Sequence, residues 1–349
     1  MRRVRNTAFS ALLCALTALT VLTLAFVIYF IVQEALPTFE EVPLREFLFG
    51  RRWMPIDYTG AGASFGIFNF IMGTLSVSLI AMLLASLVGL GAAVFLSCVA
   101  GARTRAVLYP LIDLLAGIPS VVYGFVGLLV LVRLFLKAGV HTGSCVLAAG
   151  ILLAVMLLPY LVSSCSETIL KAKERYLPAA DALGISPWYT VAAVILPASW
   201  KNILLSMVLA IGRAMGETMA VMMVMGNANL FPTLLGKGES IAAVIALEMG
   251  TAVVGSTHYH ALYAAGLVLM VLLFIINVGI SLLRDRLLRR VAIAQKMEQA
   301  GLCTAKEFLE EANTGDFSQY RFWQYVPDDK DAPDAGRVRV LRDSLPASN

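Results

Sequence analysis

The chain has 349 residues, of which 59% are hydrophobic and 14% are charged, and its mean hydropathy is +0.81. This composition indicates a protein of the lipid bilayer and excludes a cytosolic enzyme or a secreted disulfide scaffold. The formal net charge of +4 is unevenly divided, because residues 1–290 hold 20 of the 27 Lys and Arg residues, whereas residues 291–349 are acidic. No contiguous basic patch with interleaved aromatic residues occurs, so we expect no nucleic-acid partner.

Six charge-poor stretches are long enough to cross the roughly 30 Å hydrocarbon core of a bilayer as helices. The first follows three arginines, but its apolar run is longer than that of a signal peptide, so we expect a retained anchor. The sequence therefore predicts an all-α, polytopic membrane protein with six transmembrane helices. The stretches are residues 8–32, 67–99, 107–136, 144–166, 202–226 and 258–283.

Clusters of basic residues between the spans indicate the orientation of the chain. They lie before the first span and after the second, fourth and sixth spans, and all fall on one side of the membrane if both termini are cytoplasmic. Residues 34–64, 137–143 and 227–257 are then the outer loops. The clusters are Arg2, Arg3 and Arg5; Arg103 and Arg105; Lys171, Lys173, Arg175 and Lys201; and Arg284, Arg286, Arg289 and Arg290.

Two segments depart from the pattern of simple spans. Pro119 lacks a backbone N–H and restricts Ile118, so we expect a break or kink there. Residues 239–255 are apolar but too short to span, and they contain Glu239 and Glu248. This second segment favours a re-entrant or interfacial helix on the outer side. Ordinary kinks and loop helices explain both segments equally well.

Residues 167–201 form a cytoplasmic loop that is far longer than a helical hairpin requires. An amphipathic stretch runs from Lys171 to Pro187, and Gly184 within it can adopt the left-handed conformation that ends a helix. A second amphipathic stretch follows and ends at Pro197. The loop is therefore either a folded docking element or a solvated surface hairpin.

Several motifs resemble the membrane subunits of ABC importers. Ala179-Ala180, three intervening residues, Gly184, nine intervening residues and Val194-Ile195-Leu196-Pro197 form a pattern that resembles the EAA loop. The short helix of that loop docks into a cytoplasmic ATPase, and Pro178 stands where the family has a glutamate. The stretch Gly212-Arg213-Ala214-Met215-Gly216-Glu217-Thr218 and residues 115–124 and 245–250 are similar to the C-type permease of bacterial phosphate importers. The resemblance covers roughly residues 10–285.

This resemblance implies the ABC-importer permease fold and transport of inorganic phosphate across the bacterial cytoplasmic (inner) membrane, without enzymatic activity. The expected partners are a second permease forming a heterodimer, a cytoplasmic ATPase dimer that binds the ATP, and an extracytoplasmic phosphate-binding protein. We expect no cofactor or metal on this chain. Permeases for sulfate or molybdate are the alternative within the class, and a secondary transporter or channel is the alternative outside it. The ATPase would contact Ala179, Ala180, Gly184, Leu196 and Pro197.

Arg213 and Glu217 are the main candidates for substrate contact. Their i, i+4 spacing on a span starting near Asn202 would place both on one helix face near the bilayer midplane. An ion there costs at least ~2.5 kcal/mol, so both must face protein or water. A guanidinium can hold two phosphate oxygens, and Glu217 would position Arg213 and limit the affinity. A structural ion pair is the alternative, and Glu248 and Asp113 are weaker candidates.

We expect three segments along the chain. Residues 1–64 hold the first anchor and an outer loop, residues 65–290 the permease core with coupling loop 167–201, and residues 291–349 an acidic cytoplasmic tail. The tail is expected to begin with a helix over 291–313 and to carry an aromatic cluster, residues 317–325, that docks on the ATPase or the membrane surface. A poorly ordered extension is the alternative. The five cysteines are expected to be small buried apolar side chains.

Overall fold

The computed structural model describes the backbone of residues 2–56, 62–299, 320–325 and 338–342, and the side chains of residues 9–10, 12–56 and 62–282. Within these ranges, six helical segments are long and apolar enough to cross a membrane. The prediction of an all-α protein with six spans is therefore confirmed. The segments are Leu12–Glu41, Phe68–Val99, Ser120–Lys137, Val146–Ala182, Pro187–Met215 and Thr257–Leu282.

A small region lies between the first two spans, and we call it the outer region after its predicted side of the membrane. Two short strands, β1 (Trp53–Met54) and β2 (Ser64–Phe65), pair antiparallel in this region. Two π-helical turns also occur here. The five-residue turn Phe95–Val99 extends the fourth helix, and the six-residue turn Gly127–Val132 joins the sixth helix to the seventh. The helices are α1 (Arg2–Ala35), α2 (Thr38–Glu41), α3 (Leu44–Phe49), α4 (Phe68–Val94), α5 (Ala102–Gly117), α6 (Ser120–Val126) and α7 (Arg133–Lys137).

The second part of the chain begins with the longest spans. A π-helical turn, Val191–Ile195, joins the ninth helix to the tenth. The helices are α8 (Val146–Ala182), α9 (Pro187–Thr190), α10 (Leu196–Met215), α11 (Met219–Met225), α12 (Ile241–Glu248) and α13 (Thr257–Gln299).

The chain separates into two compact units, Met1–Val278 and Gly279–Asn349. In the second unit, β3 (Tyr320–Tyr325) and β4 (Val338–Arg342) pair antiparallel, which the sequence analysis did not predict. The predicted tail helix is followed as far as Gln299, and its remainder to 313 lies outside the described residues. The docking of the aromatic cluster and the three-segment division stay predictions.

Helix α8 forms the centre of the first unit. In its most apolar window 67% of the residues are buried, against 0% for α1 and 6% for α13, so α1 and α13 lie at the periphery. Buried side chains of α4, α10 and α11 pack on α8 in one hydrophobic cluster. Ser164 of α8 and Ser206 of α10 share a hydrogen bond of 2.7 Å, a polar contact between two packed helices.

The predicted break at Pro119 is confirmed, because α5 ends at Gly117 and α6 begins at Ser120. The hydroxyl of Tyr123 donates to the carbonyl oxygen of Leu115 across the break at 2.9 Å. The predicted start of this span at 107 is wrong. Helix α5 is a separate element that begins at Ala102, and its Pro110 lies within the helix.

Two other boundaries also differ from the predictions. The fourth span was predicted to end at 166, but α8 continues to Ala182. The fifth was predicted as one helix over 202–226, but the chain is helical from Pro187 to Met215 and then breaks before α11. The short helix expected within 239–255 is confirmed as α12, which begins at Ile241, and its position on the outer side stays a prediction.

Candidate functional site

The break between α10 and α11 separates the two main candidate residues. Arg213 lies in the last turn of α10, which ends at Met215, and Glu217 lies between the helices. The side chain of Glu217 accepts a hydrogen bond from the backbone N–H of Ala220 at 3.3 Å and so satisfies a free donor in the first turn of α11. The prediction that both residues share one face of a continuous helix is therefore wrong.

The predicted ion pair is also absent, because no salt bridge among the described residues joins Arg213 to Glu217. The Arg213 side chain is exposed and Glu217 is half-buried. Arg213 also lies two residues from the end of its span rather than at the centre. Because a charged side chain in a membrane span is costly when it faces lipid, the exposed guanidinium must face a water-filled space or another subunit.

One residue that was not predicted from the sequence, Asn277, lies beside the glycine that precedes Arg213. A Cβ added to Gly212 would lie 3.6 Å from Nδ2 of Asn277, so α13 approaches α10 closely at this glycine. A Cβ added to Gly216, in contrast, would meet only carbonyl oxygens of its own helix. The signal for Asn277 was a polar residue inside the sixth span.

Glu248 is held by partners in the outer region. Its Oε2 accepts a hydrogen bond from Trp53 Nε1 at 2.9 Å and lies 2.7 Å from His258 Nε2. The centroids of the Trp53 and His258 rings are 6.1 Å apart, and the rings meet edge to face. This contact joins β1, α12 and α13. Trp53 could not be predicted as a partner of Glu248 because the two residues are 195 positions apart in the sequence.

Glu239 lies next to the end of the segment that connects α11 to α12, which we call outer loop 226–240 after its predicted side of the membrane. Burial of the Glu239 carboxyl, with a smaller contribution from the charge of Glu248, raises its pKa to about 7. The loop is fixed on α4, because Thr74 Oγ1 accepts a hydrogen bond from the N–H of Ile241 at 3.0 Å and the backbone of Glu239 packs against Gly73. Asp113, by contrast, is exposed on α5.

The predicted ATPase-contact residues lie around the end of α8. The N–H groups of Gly184 and Ile185 bond to the carbonyl oxygens of Asp181 and Ala180, and Gly184 has a φ of +70°. These bonds form a Schellman motif, which confirms the helix stop expected at Gly184. Ala179 is exposed, whereas Ala180 is buried.

The segment around Gly184 presents large apolar side chains at the protein surface. Ser186 caps α9 by accepting a hydrogen bond from the N–H of Tyr189, and Leu183, Trp188 and Tyr189 are 76%, 65% and 63% exposed. Leu196 and Pro197 lie at the start of α10, so the predicted second half of the loop is helix. Such an exposed apolar patch is typical of a protein contact surface.

The cysteines and metal ligands give no site in the described part of the chain. Cys145 and Cys165 are buried, Cys98 is half-buried, Cys14 is exposed, and all four are free thiols. Cys303 lies outside the described residues. No group of three or more His, Cys, Asp or Glu side chains that could hold a metal ion occurs among the residues searched.

Comparison with known proteins identifies the family. Residues 85–293 match the model of the binding-protein-dependent transport system inner membrane component. The probable ABC transporter permease protein YqgH of Bacillus subtilis is 36% identical over 245 residues, which cover 69% of this chain and 78% of that protein. The phosphate transport system permease protein PstC of Xylella fastidiosa is 36% identical over 265 residues, covering 70% and 80%.

This chain belongs to that family of inner membrane components. It is a multi-pass membrane protein and a transport subunit, in agreement with its six spans. A chain of the inward-facing MetNI methionine ABC transporter is similar in structure, with a TM-score of 0.49 and 17% identity over 62% of this chain and 93% of that chain.

Proposed function

We propose that the protein is the C-type permease subunit of an ATP-driven importer of inorganic phosphate. The observation that carries the substrate assignment is the exposed guanidinium of Arg213 at the break between α10 and α11, which forms no ion pair with any residue that the structure describes. The relatives of this chain include phosphate permeases. A planar guanidinium can donate two parallel hydrogen bonds to an oxyanion. Phosphate bound there must also leave, and a single cation holds an anion more weakly than a closed cage does.

Glu217 takes a different part from the one that its spacing suggested. Because its carboxylate caps α11, it fixes the start of that helix beside the arginine. The negative charge of a carboxylate near the phosphate also repels the anion and so opposes tight binding. We therefore assign Arg213 to phosphate contact and Glu217 to positioning α11 and limiting the affinity. Glu248 acts through the outer region, where Trp53 and His258 hold it.

The proposed partners follow from the exposed surfaces and from the family. The patch formed by Leu183, Trp188 and Tyr189, with Ala179 and Gly184 beside it, would dock on a cytoplasmic ATPase dimer, which supplies the ATP-binding site. A second permease would complete the translocation path, and an extracytoplasmic binding protein would deliver phosphate. This arrangement requires both termini in the cytoplasm, in keeping with the basic clusters beside the spans.

Phosphate uptake tests the substrate assignment. The protein is expressed with its partner subunits in a strain that lacks its own phosphate importer, and labelled phosphate uptake is measured with sulfate and molybdate as competitors. We expect Arg213→Ala to reduce uptake by at least about tenfold, since a charge-assisted hydrogen bond contributes about 1.5–3 kcal/mol, and Arg213→Lys to be intermediate. Arg133→Ala, at an exposed cation of α7, is the matched control. Undiminished uptake in both Arg213 variants at equal membrane levels would contradict the assignment, and competition by sulfate would favour another oxyanion.

Disulfide trapping tests the docking surface. Leu183→Cys and Trp188→Cys are paired with cysteines scanned across the surface of the co-expressed ATPase. Leu87→Cys, at a 78% exposed position in the middle of α4, is the control. We expect ATPase crosslinks from the first two positions and none from Leu87. An absence of crosslinks at every scanned pair would remove the docking assignment without touching the substrate assignment.

A further inference from the structure

Arg51 lies in an aromatic site on the outer side of the protein. Its guanidinium carbon is 5.4 Å from the ring centre of Phe68, the first residue of α4, and 5.6 Å from that of Phe231 in outer loop 226–240. The two rings stack with their centres 6.2 Å apart, so the three groups form a nearly equilateral triangle. Cation–π attraction of this kind orients a guanidinium and leaves its N–H edges available.

The backbone under Arg51 is fixed as well. Asn69 Nδ2 donates to the carbonyl oxygen of Arg51 at 3.0 Å and to Asn229 Oδ1 at 2.8 Å, and the N–H of Gly66 donates to the carbonyl oxygen of Arg52 at 2.8 Å. Asn69 is itself buried. The side chain of Arg51 is therefore presented from a rigid base, which lowers the entropy cost of binding a ligand.

Arg51 keeps its guanidinium donors free of hydrogen bonds among the described residues. Its side chain is exposed and makes no hydrogen bond or ion pair with any residue that the structure describes. Three outer acids, in contrast, are each engaged by a neighbour. Glu34 bonds to His260 at 3.3 Å, Glu41 to Thr257 at 2.7 Å, and Glu248 to Trp53 at 2.9 Å.

Outer loop 226–240 connects this arginine to the candidate translocation site. Helix α11 begins two residues after Glu217 and ends at Met225, and the loop that follows it carries Asn229 and Phe231. Gly238 N–H donates to the carbonyl oxygen of Met225, so the two ends of the loop close on each other at the end of α11. Arg51 is thus held at the far end of the short helix that starts beside Arg213.

We propose that Arg51 forms an outer phosphate-binding position that receives the anion before it passes to Arg213. The proposal rests on the proposed function, because it takes phosphate as the substrate. An exposed, oriented guanidinium with unpaired donors is the group that best accepts a tetrahedral oxyanion at a wet surface. Phe231 couples the position to the loop, so the residue that binds the anion also contacts the segment leading to the inner site.

The test uses the complete complex in proteoliposomes, with ATP inside and labelled phosphate carried by purified binding protein outside. Uptake and ATP hydrolysis are measured as the concentration of loaded binding protein is varied. For Arg51→Gln we expect maximal uptake to fall about tenfold, with the half-saturating binding-protein concentration unchanged within about twofold. Arg51→Lys should be intermediate, because it keeps the charge and loses the paired donors. Arg52→Gln is the matched control, since Arg52 is the adjacent exposed cation and its guanidinium bonds to Met54 Sδ rather than stacking on the two rings.

Each contrary outcome has its own meaning. Normal maximal uptake by Arg51→Gln overturns the proposal. A tenfold rise in the half-saturating concentration of binding protein, with normal maximal uptake, also overturns it and assigns Arg51 to an acidic surface of that protein. Equal losses of maximal uptake in Arg51→Lys and Arg51→Gln, together with a lowered melting temperature, also overturn the proposal and show that Arg51 only stabilises the loop. Absence of phosphate uptake by the unaltered complex would instead defeat the proposed function.

Discussion

Replacement of Gly73 by alanine tests the contact between α4 and outer loop 226–240. A Cβ at this position would overlap the backbone carbonyl oxygen of Glu239 and would lie 3.2 Å from Cε of Met225. The methionine can move, but the carbonyl belongs to the backbone that leads into α12. The loop must therefore shift on the order of 1 Å to restore van der Waals separation.

The magnitude follows from three contributions. Overpacking of a well-packed site costs about 1–3 kcal/mol, and a clash with backbone favours the upper end. The shift also strains the hydrogen bond between Ile241 N–H and Thr74 Oγ1, worth about 1 kcal/mol. Alanine returns about 1 kcal/mol through its higher helix propensity. We therefore expect Gly73→Ala to destabilise the protein by about 3 kcal/mol.

The melting temperature of the detergent-purified protein, followed by fluorescence-detected gel filtration, measures this effect. Gly91→Ala is the matched control, because Gly91 lies on the same helix and an added Cβ there meets nothing within 4 Å. We expect a clear fall in melting temperature for Gly73→Ala and none for Gly91→Ala. Equal melting temperatures and equal phosphate uptake for the two variants would refute the inferred contact between α4 and the loop.

Three further predictions concern polar contacts. Folding raises the pKa of Glu239 to about 7, so the folded state binds this proton more tightly than the unfolded state does. The contribution of Glu239 to stability is therefore largest below pH 4.5 and is lost as the pH rises through about 7. Glu239→Gln should flatten the dependence of the melting temperature on pH over that window. Trp53→Phe removes the 2.9 Å hydrogen bond to Glu248 and keeps an aromatic ring, so it should cost about 1–2 kcal/mol in thermal unfolding, and an unchanged melting temperature would contradict it. A double-mutant cycle of Ser164→Ala and Ser206→Ala should give a coupling of about 0.6 kcal/mol, and additive effects would show that the 2.7 Å bond contributes nothing.

Hydropathy and proline chemistry predict most of the membrane architecture. A span needs about 20 apolar residues whatever its neighbours are, so the count of six spans follows from the sequence alone. The break at Pro119 follows from a missing backbone donor, and the stop at Gly184 from the left-handed conformation that glycine tolerates. The continuation of α8 to Ala182 was missed because charged residues end the apolar run at 166, although they do not end the helix.

The outer contacts could not be predicted because they join distant parts of the chain. Trp53 and Glu248 are 195 residues apart, and Asn69 and Asn229 are 160 residues apart. No local periodicity relates such positions. Nor does the composition of residues 34–64 indicate that one arginine would stack on aromatic rings while its neighbour contacts a methionine.

The failure at Arg213 and Glu217 has a local cause. An i, i+4 spacing places two residues on one face only if the helix between them is continuous. Gly216 lies between them, and glycine is a poor helix former, so the helix can end there and a glutamate directly after it can cap a new helix. In the structure α10 ends before Glu217, and the Glu217 side chain accepts a hydrogen bond from the N–H of Ala220 at the start of α11. Arg213 therefore belongs to α10, whereas Glu217 lies in the break and caps α11. A shift of α11 that carries Glu217 with it would change the distance between the two charges without unwinding either helix.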